Sequence, residues 1–207
     1  MKIKLSGIGK RFKDEWIFRN LNYSLPKPGK TTVVGPNGSG KSTLLKIISA
    51  AELPTVGAVE YQTAQGHVVD AEKIFSHISF AAPYLELPEQ LKLRELLKFH
   101  QKMKGFSAGI EIDFLMEEIQ LKHASNKLIY HFSSGMKQRL KLGLTIFADT
   151  PVMILDEPCS NLDVAGVELY KKLMQQHSSG KTVIIGSNYN ADEMLDSADQ
   201  INILEYK

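Results

Sequence analysis

The sequence has few of the features that mark secreted, membrane-spanning or nucleic-acid-binding proteins. It contains a single cysteine, Cys159, so it cannot form an internal disulfide and fits a reducing compartment. Lysine and arginine total 25 against 23 acidic residues, with no dense basic block, so no nucleic-acid partner is expected. Polar residues interrupt every hydrophobic run before the roughly 20 residues that a membrane span needs, and residues 1–12 do not resemble a secretion signal. We therefore expect a cytoplasmic protein.

The hydrophobic pattern predicts an α/β fold in a chain whose 207 residues suit one domain. Residues 2–34 alternate short β-rich runs with proline and glycine turns, which indicates antiparallel strands leading into a central one. Short strand-like runs return between residues 55 and 81, and apolar residues at helical spacing follow over 91–147. The last part alternates strand-like and helical segments, as in a parallel sheet covered by helices.

A glycine-rich segment predicts a phosphate-binding loop. The segment GPNGSGKST, residues 35–43, satisfies G-x-x-x-x-G-K-[ST] between the strand-like run TTVV and the helical run LLKII. Its glycines let backbone N–H groups and a helix N-terminus point at an anion. Lys41 would lie near the β- and γ-phosphates, and the Ser42 hydroxyl can bind Mg²⁺; the alternative is a glycine-rich turn with an incidental lysine. The residues predicted to bind the nucleotide here are Gly35, Pro36, Asn37, Gly38, Ser39, Gly40, Lys41, Ser42 and Thr43.

An acidic pair follows a second strand-like run. In VMILDEP, residues 152–158, four apolar residues place Asp156 and Glu157 at the carboxyl end of a buried strand, where open α/β sheets build their ligand sites. We expect Asp156 to hold magnesium and Glu157 to accept a proton from the attacking water. An acidic pair at a strand end can also be a turn or a helix cap.

Four segments in order, GPNGSGKST, FSSGMKQR, ILDEP and SNLD, resemble the ATPase subunit of ATP-binding cassette (ABC) transporters. The resemblance covers nearly the whole chain, although FSSGM, residues 132–136 at the position of the family's signature motif, departs from the commoner LSGGQ. It implies a P-loop NTPase fold of the ABC ATPase type, with a mixed central sheet, an antiparallel β subdomain and a helical subdomain. The nucleotide-binding lobe would comprise residues 1–83 and 148–207, and the helical lobe about 84–147.

The resemblance also implies a head-to-tail dimer that binds ATP and Mg²⁺ between its subunits. Ser133 and Gly135 of one subunit would contact the γ-phosphate on the other, Asp163 would lie at the dimer seam, and Phe12 would stack on adenine. Ser133 can equally be a helix cap within its own subunit, and Phe12 can be a core residue. The implied partners are transmembrane permease subunits that dock on the helical lobe, which would place the chain on the inner face of the cell membrane.

Two positions depart from the family pattern. Pro83 stands where the family has a glutamine that serves magnesium and the attacking water, and Glu86 or Gln90 are candidates to replace it. Asn188 stands where the family has a histidine that reaches the γ-phosphate. Its amide can donate a hydrogen bond but cannot carry a proton or positive charge. We therefore predict weak hydrolysis with ATP binding retained. The alternative is that Asn188 and Asn190 only turn the chain.

Three functions are consistent with these motifs. The first is an ATPase that drives a membrane transporter, with Lys41, Glu157 and Asn188 as catalytic residues. The second is a soluble ABC-type clamp in assembly, repair or translation. Such clamps often carry two cassettes or long inserted coiled coils, whereas this chain has one cassette and only about 90 residues between its phosphate loop and its signature motif, which favours the transporter. The third is a binding-only subunit of a heterodimer, motivated by Pro83 and Asn188. The choice between a homodimer and a heterodimer stays open.

Overall fold

The structure is a computed structural model that describes residues 1–194 and 198–207. Within them the chain forms two β-sheets and five α-helices. The strands are β1 (Lys2–Phe12), β2 (Glu15–Leu25), β3 (Gly29–Val34), β4 (Val56–Gln62), β5 (Ile78–Ala81), β6 (Val152–Asp156), β7 (Thr182–Ser187) and β8 (Asp199–Asn202). The helices are α1 (Lys41–Ile48), α2 (Leu93–Met103), α3 (Ile112–Glu118), α4 (Ser134–Ile146) and α5 (Val164–His177).

The first sheet is antiparallel, in the order β2-β1-β4. The sequence predicted several short strands in this region, but WIF and LNYSL form one continuous strand, β2. Shifts in register between β1 and both of its neighbours bend this sheet. HVVD, residues 67–70, is one of the strand-like runs predicted between residues 55 and 81. It makes only a single bridge within the described residues, from Val68 to Gln62, and the chain then enters a short 3-10 helix, Ala71–Ser76.

The second sheet has five strands in the order β5-β6-β7-β3-β8. The α/β fold class is confirmed. One detail differs, because among residues 1–194 and 198–207 every strand pairing of this central sheet is parallel, whereas a mixed sheet was expected. Pro26 and Pro28 separate β2 from β3, and proline has no N–H with which to continue a hydrogen-bonded ladder. The antiparallel strands therefore form a sheet of their own, and β3 pairs with β7 and β8.

Alternate side chains of the central strands enter two hydrophobic clusters. Ile154 of β6 and Ile184 of β7 pack with α1 and the antiparallel sheet on one face. Met153 and Val183, one residue away in each strand, pack with α2 to α5 on the other face. The helices predicted over residues 91–147 thus share a core with the sheet. The lobe boundaries stay a prediction.

No helix among residues 1–194 and 198–207 is both long enough and apolar enough to span a membrane.

Candidate functional site

The carboxyl ends of three neighbouring strands bring the predicted motifs to one edge of the central sheet. Val34, the last residue of β3, pairs with Ser187 of β7, and Asp156 of β6 pairs with Gly186. The phosphate loop, the acidic pair and the segment beginning at Asn188 each follow one of these strands. Parallel sheets build their ligand sites at this edge, because the loops that leave the strands converge there.

The phosphate loop has the backbone shape that its glycines allow. Gly38 and Gly40 have φ angles of 75° and 108°, in the left-handed region that favours glycine. A Cβ on Gly35 would lie 2.6 Å from the Ser39 hydroxyl oxygen, so the close turn requires glycine there as well. Helix α1 then begins at Lys41, and its first N–H groups have no partners within the helix. The loop therefore presents donors to an anion.

Lys41 is held by the loop that precedes it. Its side chain is only 4% exposed, and Nζ donates to the backbone carbonyls of Gly35 at 2.9 Å and Pro36 at 3.1 Å. The Glu157 carboxylate lies 3.8 Å from Nζ. Together these contacts fix a positive charge beside a cavity of about 250 Å³. The cavity is lined by Ile17, Asn37, Gly38, Gly40, Lys41, Ser42, Thr43 and Glu157.

Asp156 is a buried carboxylate with unused hydrogen-bonding capacity. It is 1% exposed, and neither oxygen has a hydrogen-bond partner among the residues that the structure describes. Burial raises its pKa and the charge of Glu157 adds to the rise, while the nearby Ser42 hydroxyl and Lys41 lower it. Burying an unpaired carboxylate is costly, and a hard cation bound by carboxylate and hydroxyl oxygens would offset that cost. Asp156 and Ser42 therefore fit a magnesium site.

Gly186 leaves the room that Asp156 occupies. A Cβ on Gly186 would lie 2.6 Å from Oδ1 of Asp156 and 2.8 Å from Leu45 of α1. Its carbonyl also accepts a hydrogen bond from the N–H of Glu157 at 2.9 Å. Glu157 itself has a φ of 44°, unusual for a residue with a side chain, and its carboxylate lines the cavity. Gly186 of β7 therefore contacts both residues of the acidic pair, leaving space for the Asp156 carboxylate and binding the Glu157 N–H.

The segment after β7 forms a turn anchored by Ser187. The buried Ser187 hydroxyl donates to Oε2 of Glu193 at 2.7 Å and accepts from the N–H of Asn190 at 3.1 Å. Asn188 follows as an exposed residue and does not line the cavity. Asn190 takes part in a turn, as its alternative interpretation predicted. The Asn188 amide makes no hydrogen bond to the part of the chain that the structure describes, so it is available to a ligand. The γ-phosphate role of Asn188 stays a prediction.

The signature residues do not line the phosphate cavity of their own chain. Ser133 caps α4 by accepting from the N–H of Met136 at 3.2 Å, and Asp163 caps α5 by accepting from the N–H of Gly166 at 2.8 Å. Both are exposed, and a Cβ on Gly135 would lie 3.3 Å from the carbonyl of Asn161. The capping roles are therefore present, and the signature turn and the segment SNLD lie side by side.

Phe12 ends β1 and is not a core residue. Its side chain is 48% exposed, and Nζ of Lys10 lies 4.9 Å from its ring centroid. The ring is free to stack on a flat ligand, although it does not line the phosphate cavity. Ile17 of β2, which the sequence analysis did not single out, does line it.

Three polar residues near the site also escaped the sequence analysis. Gln138 of α4 is buried and donates to the carbonyl of Pro158 at 2.8 Å, which ties the signature helix to the acidic pair. A polar side chain on the apolar face of α4 was the available signal. Glu193 and Tyr84 gave no such signal. Glu193 accepts from the N–H of Cys159, and Nζ of Lys46 of α1 lies 4.4 Å from the centre of the Tyr84 ring, so both contacts join segments that are distant along the chain.

Comparison with known proteins gives one consistent result. The family model described as ABC transporter matches residues 18–160. The lantibiotic transport ATP-binding protein SrtF of Streptococcus pyogenes is 28% identical over 187 residues, covering 90% of this chain and 80% of SrtF. The daunorubicin resistance ATP-binding protein DrrA3 of Streptomyces coeruleorubidus is 28% identical over 211 residues, which cover 98% of this chain and 65% of DrrA3. Among solved structures, a putative ABC transporter ATP-binding protein from Pyrococcus furiosus has a TM-score of 0.79 at 21% identity. The match covers 100% of this chain and 99% of that protein.

Proposed function

Because the chain belongs to the ABC transporter family as an ATP-binding ATPase subunit, we propose that it binds Mg-ATP in a head-to-tail dimer and drives transport through separate transmembrane permease subunits. The observation that carries the proposal is the meeting of the phosphate loop, buried Lys41 and unpaired Asp156 at one sheet edge. The names of SrtF and DrrA3 associate those relatives with lantibiotic transport and daunorubicin resistance. The chain would then work on the cytoplasmic face of the membrane.

The residues of the cavity supply the groups that phosphoryl transfer needs. The loop N–H groups and Lys41 would hold the β- and γ-phosphates, since both present positive charge to the cavity. Ser42 and Asp156 would hold Mg²⁺, which supplies charge neutralisation when bound. Glu157 would take a proton from the water that attacks the γ-phosphorus as ADP leaves. The Glu157 side chain is partly exposed at the cavity, so water can reach its carboxylate.

A second subunit would complete the site. Ser133 and Gly135 lie outside the cavity of their own chain, so they would have to serve a nucleotide bound by another. A solved dimeric bacterial ABC transporter cassette shares the fold at a TM-score of 0.77 and 22% identity, covering 92% of this chain and 90% of that one. The second subunit can be an identical copy or a related cassette. Asp163 would lie at the seam, and Phe12 would stack on adenine.

Hydrolysis by this subunit should be slow, because Asn188 cannot act as an acid or a base. Losing one positioned acid–base or polar group typically costs about a hundred- to ten-thousand-fold in rate. ATP binding should persist, since the phosphate loop and Lys41 are intact. A permanently inactive, binding-only subunit of a heterodimer is the second candidate, and Pro83 together with Asn188 favours it.

Steady-state ATP turnover tests the proposal. The purified wild type should bind ATP and hydrolyse it slowly, Lys41→Ala should lose binding, and Glu157→Gln should bind without turnover. Asn188→His should hydrolyse about ten times faster or more, because it restores a group that can carry a proton. Asn188→Gln is the matched control, which keeps an amide and should stay slow.

Two results would contradict parts of this proposal. Wild-type turnover equal to that of Asn188→His would show that the amide is no handicap. Turnover absent from both, with ATP still bound, would favour the binding-only subunit. Co-purification then separates the partners, since a membrane protein supports transport, a non-identical cassette supports the heterodimer, and neither supports the soluble clamp.

A further inference from the structure

Glu157, the proposed general base, begins a tight turn. The N–H of Ser160 donates to the carbonyl of Glu157 at 3.0 Å. This hydrogen bond leaves Pro158 and Cys159 at the centre of the turn. On the other side of the residue, the N–H of Glu157 donates to the carbonyl of Gly186 of β7 at 2.9 Å. The direction of the Glu157 side chain therefore depends on how this turn is held.

The backbone of Glu157 needs such support because it is strained. Its φ of 44° lies in the left-handed region, which a residue with a side chain keeps only where the surrounding structure enforces it. If the turn were free to move, Glu157 would relax toward a negative φ, and its carboxylate would leave the phosphate cavity that it lines. Side chains that hold the turn therefore also hold the base in place.

One peptide group of the turn is bound at both of its polar atoms by buried side chains. Nε2 of Gln138 donates to the carbonyl of Pro158 at 2.8 Å. Oε1 of Glu193 accepts from the N–H of Cys159 at 3.2 Å. This carbonyl and this N–H belong to the same planar peptide group, so a rotation of that group would break both hydrogen bonds. Gln138 and Glu193 are each 3% exposed, which shields both hydrogen bonds from water.

The two side chains come from segments that are distant along the chain. Gln138 belongs to α4, the helix that Ser133 of the signature turn caps. Glu193 also accepts from the hydroxyl of Ser187 at 2.7 Å, immediately before Asn188. The peptide group that follows the acidic pair is therefore held between the signature helix and the segment after β7.

We propose that Gln138 and Glu193 are positioning residues for the general base. Together they hold the peptide between Pro158 and Cys159, and this restraint keeps the Glu157 carboxylate directed at the phosphate cavity. The inference rests on the proposed function, because it needs Glu157 to take the proton from the attacking water. Neither positioning residue lines the cavity. Their loss should therefore lower the rate of hydrolysis and leave ATP binding unchanged.

The restrained peptide can be observed directly, since Cys159 is the only cysteine of the chain. Labelling with ¹⁵N-cysteine gives a single amide signal in the NMR spectrum, whose chemical shift depends on both hydrogen bonds of this peptide. Gln138→Met removes the donor and Glu193→Met removes the acceptor at similar side-chain size, so each should shift the signal. Glu193→Gln keeps an acceptor oxygen and should move it less. Thr145→Val, the matched control, removes a buried hydroxyl elsewhere on α4 and should leave the signal unchanged.

Single-turnover hydrolysis and ATP affinity, measured on the same variants, separate positioning from a general loss of structure. Gln138→Met and Glu193→Met should each lower the rate at saturating Mg-ATP about tenfold or more, because the base is misplaced, and should keep the wild-type ATP affinity. Glu193→Gln should recover most of the rate that Glu193→Met loses. The double variant should lose little more than either single variant, because both side chains hold the same peptide. Thr145→Val should keep the wild-type rate.

Several results would overturn the inference. A Cys159 signal that stays in place in Gln138→Met or Glu193→Met would show that the peptide is not held by these side chains. An unchanged rate, a weakened ATP affinity or additive losses in the double variant would exclude the positioning role. Glu193→Asp, too short to reach both partners, provides the same test if Glu193→Met does not fold. Absence of ATP binding or of hydrolysis in the wild type would instead overturn the proposed function, whatever the Cys159 signal of the nucleotide-free protein shows.

Discussion

Glu193 shows how one buried side chain can join two parts of the site. It is 3% exposed and accepts from the Ser187 hydroxyl at 2.7 Å and from the N–H of Cys159 at 3.2 Å. Ser187 precedes Asn188, and Cys159 lies two residues after Glu157. A shift in either segment would therefore reach the other through this carboxylate.

Glu193 should also make stability depend on pH. Burial raises its pKa above the ordinary 4.5, and hydrogen bonds from Ser187 and Cys159 only partly oppose the rise. The folded state therefore binds more protons than the unfolded state in the window above pH 4.5, so the free energy of unfolding falls as pH rises through it. The contribution is fully present below that pH. In Glu193→Gln the side chain no longer titrates, so urea denaturation should show the wild type losing stability relative to the variant as pH rises.

The comparison variant is Glu60→Gln, which removes an exposed carboxylate on β4. It should keep the pH profile of the wild type. A constant difference between wild type and Glu193→Gln across the pH range would show that ionisation of Glu193 is not coupled to folding.

At the scale of elements, α5 begins at a residue with two possible roles. Asp163 caps the helix through the N–H of Gly166, and it is also predicted to lie at the dimer seam. Asp163→Ala should lower the free energy of unfolding by about 1 kcal/mol, the usual cost of losing such a cap. Asp163→Asn keeps a capping oxygen, so it should retain stability. We expect it to lower ATP turnover nonetheless, because the negative charge at the seam is lost.

Urea denaturation and steady-state turnover, measured on the same preparations, distinguish the two roles. Should Asp163→Asn match the wild type in both, Asp163 is a helix cap and nothing more. A loss of turnover only in Asp163→Ala would trace the effect to the helix end.

The elements that the sequence predicted well are those with a local signal. Helix α1 follows a glycine-rich loop, and β6 and β7 are uninterrupted apolar runs, so composition and periodicity suffice. The antiparallel sheet was harder, because the pairing of β1 with β4 joins segments about 55 residues apart. The motifs likewise predicted Lys41 and Asp156 at the site. The contacts of Tyr84 and Gln138 depend on which strands and helices become neighbours in the fold, and no local sequence pattern contains that information.

At the scale of the whole molecule, the proposed head-to-tail dimer would give each chain two halves of different sites. The phosphate cavity opens to solvent, and the caps of α4 and α5 expose Ser133 and Asp163 away from it. Val164, next to Asp163, is 82% exposed although it is apolar. A second subunit that covered this surface would bury Val164 and bring a helix N-terminus to the bound phosphates.

ATP should therefore control the oligomeric state. In Glu157→Gln, where ATP binds without turnover, light scattering after size-exclusion chromatography should show the mass double in saturating Mg-ATP and return to that of the monomer in ADP. Ser133→Arg in the same background should stay monomeric, because a long cation would obstruct the predicted contact with the γ-phosphate. Ser125→Arg, a polar position outside the signature turn, is the matched control and should still dimerise.

A monomer at saturating ATP would exclude a homodimer, and a doubled mass upon addition of a second, non-identical cassette would then identify a heterodimer. Dimerisation of Ser133→Arg equal to that of the control would place the signature turn away from the interface.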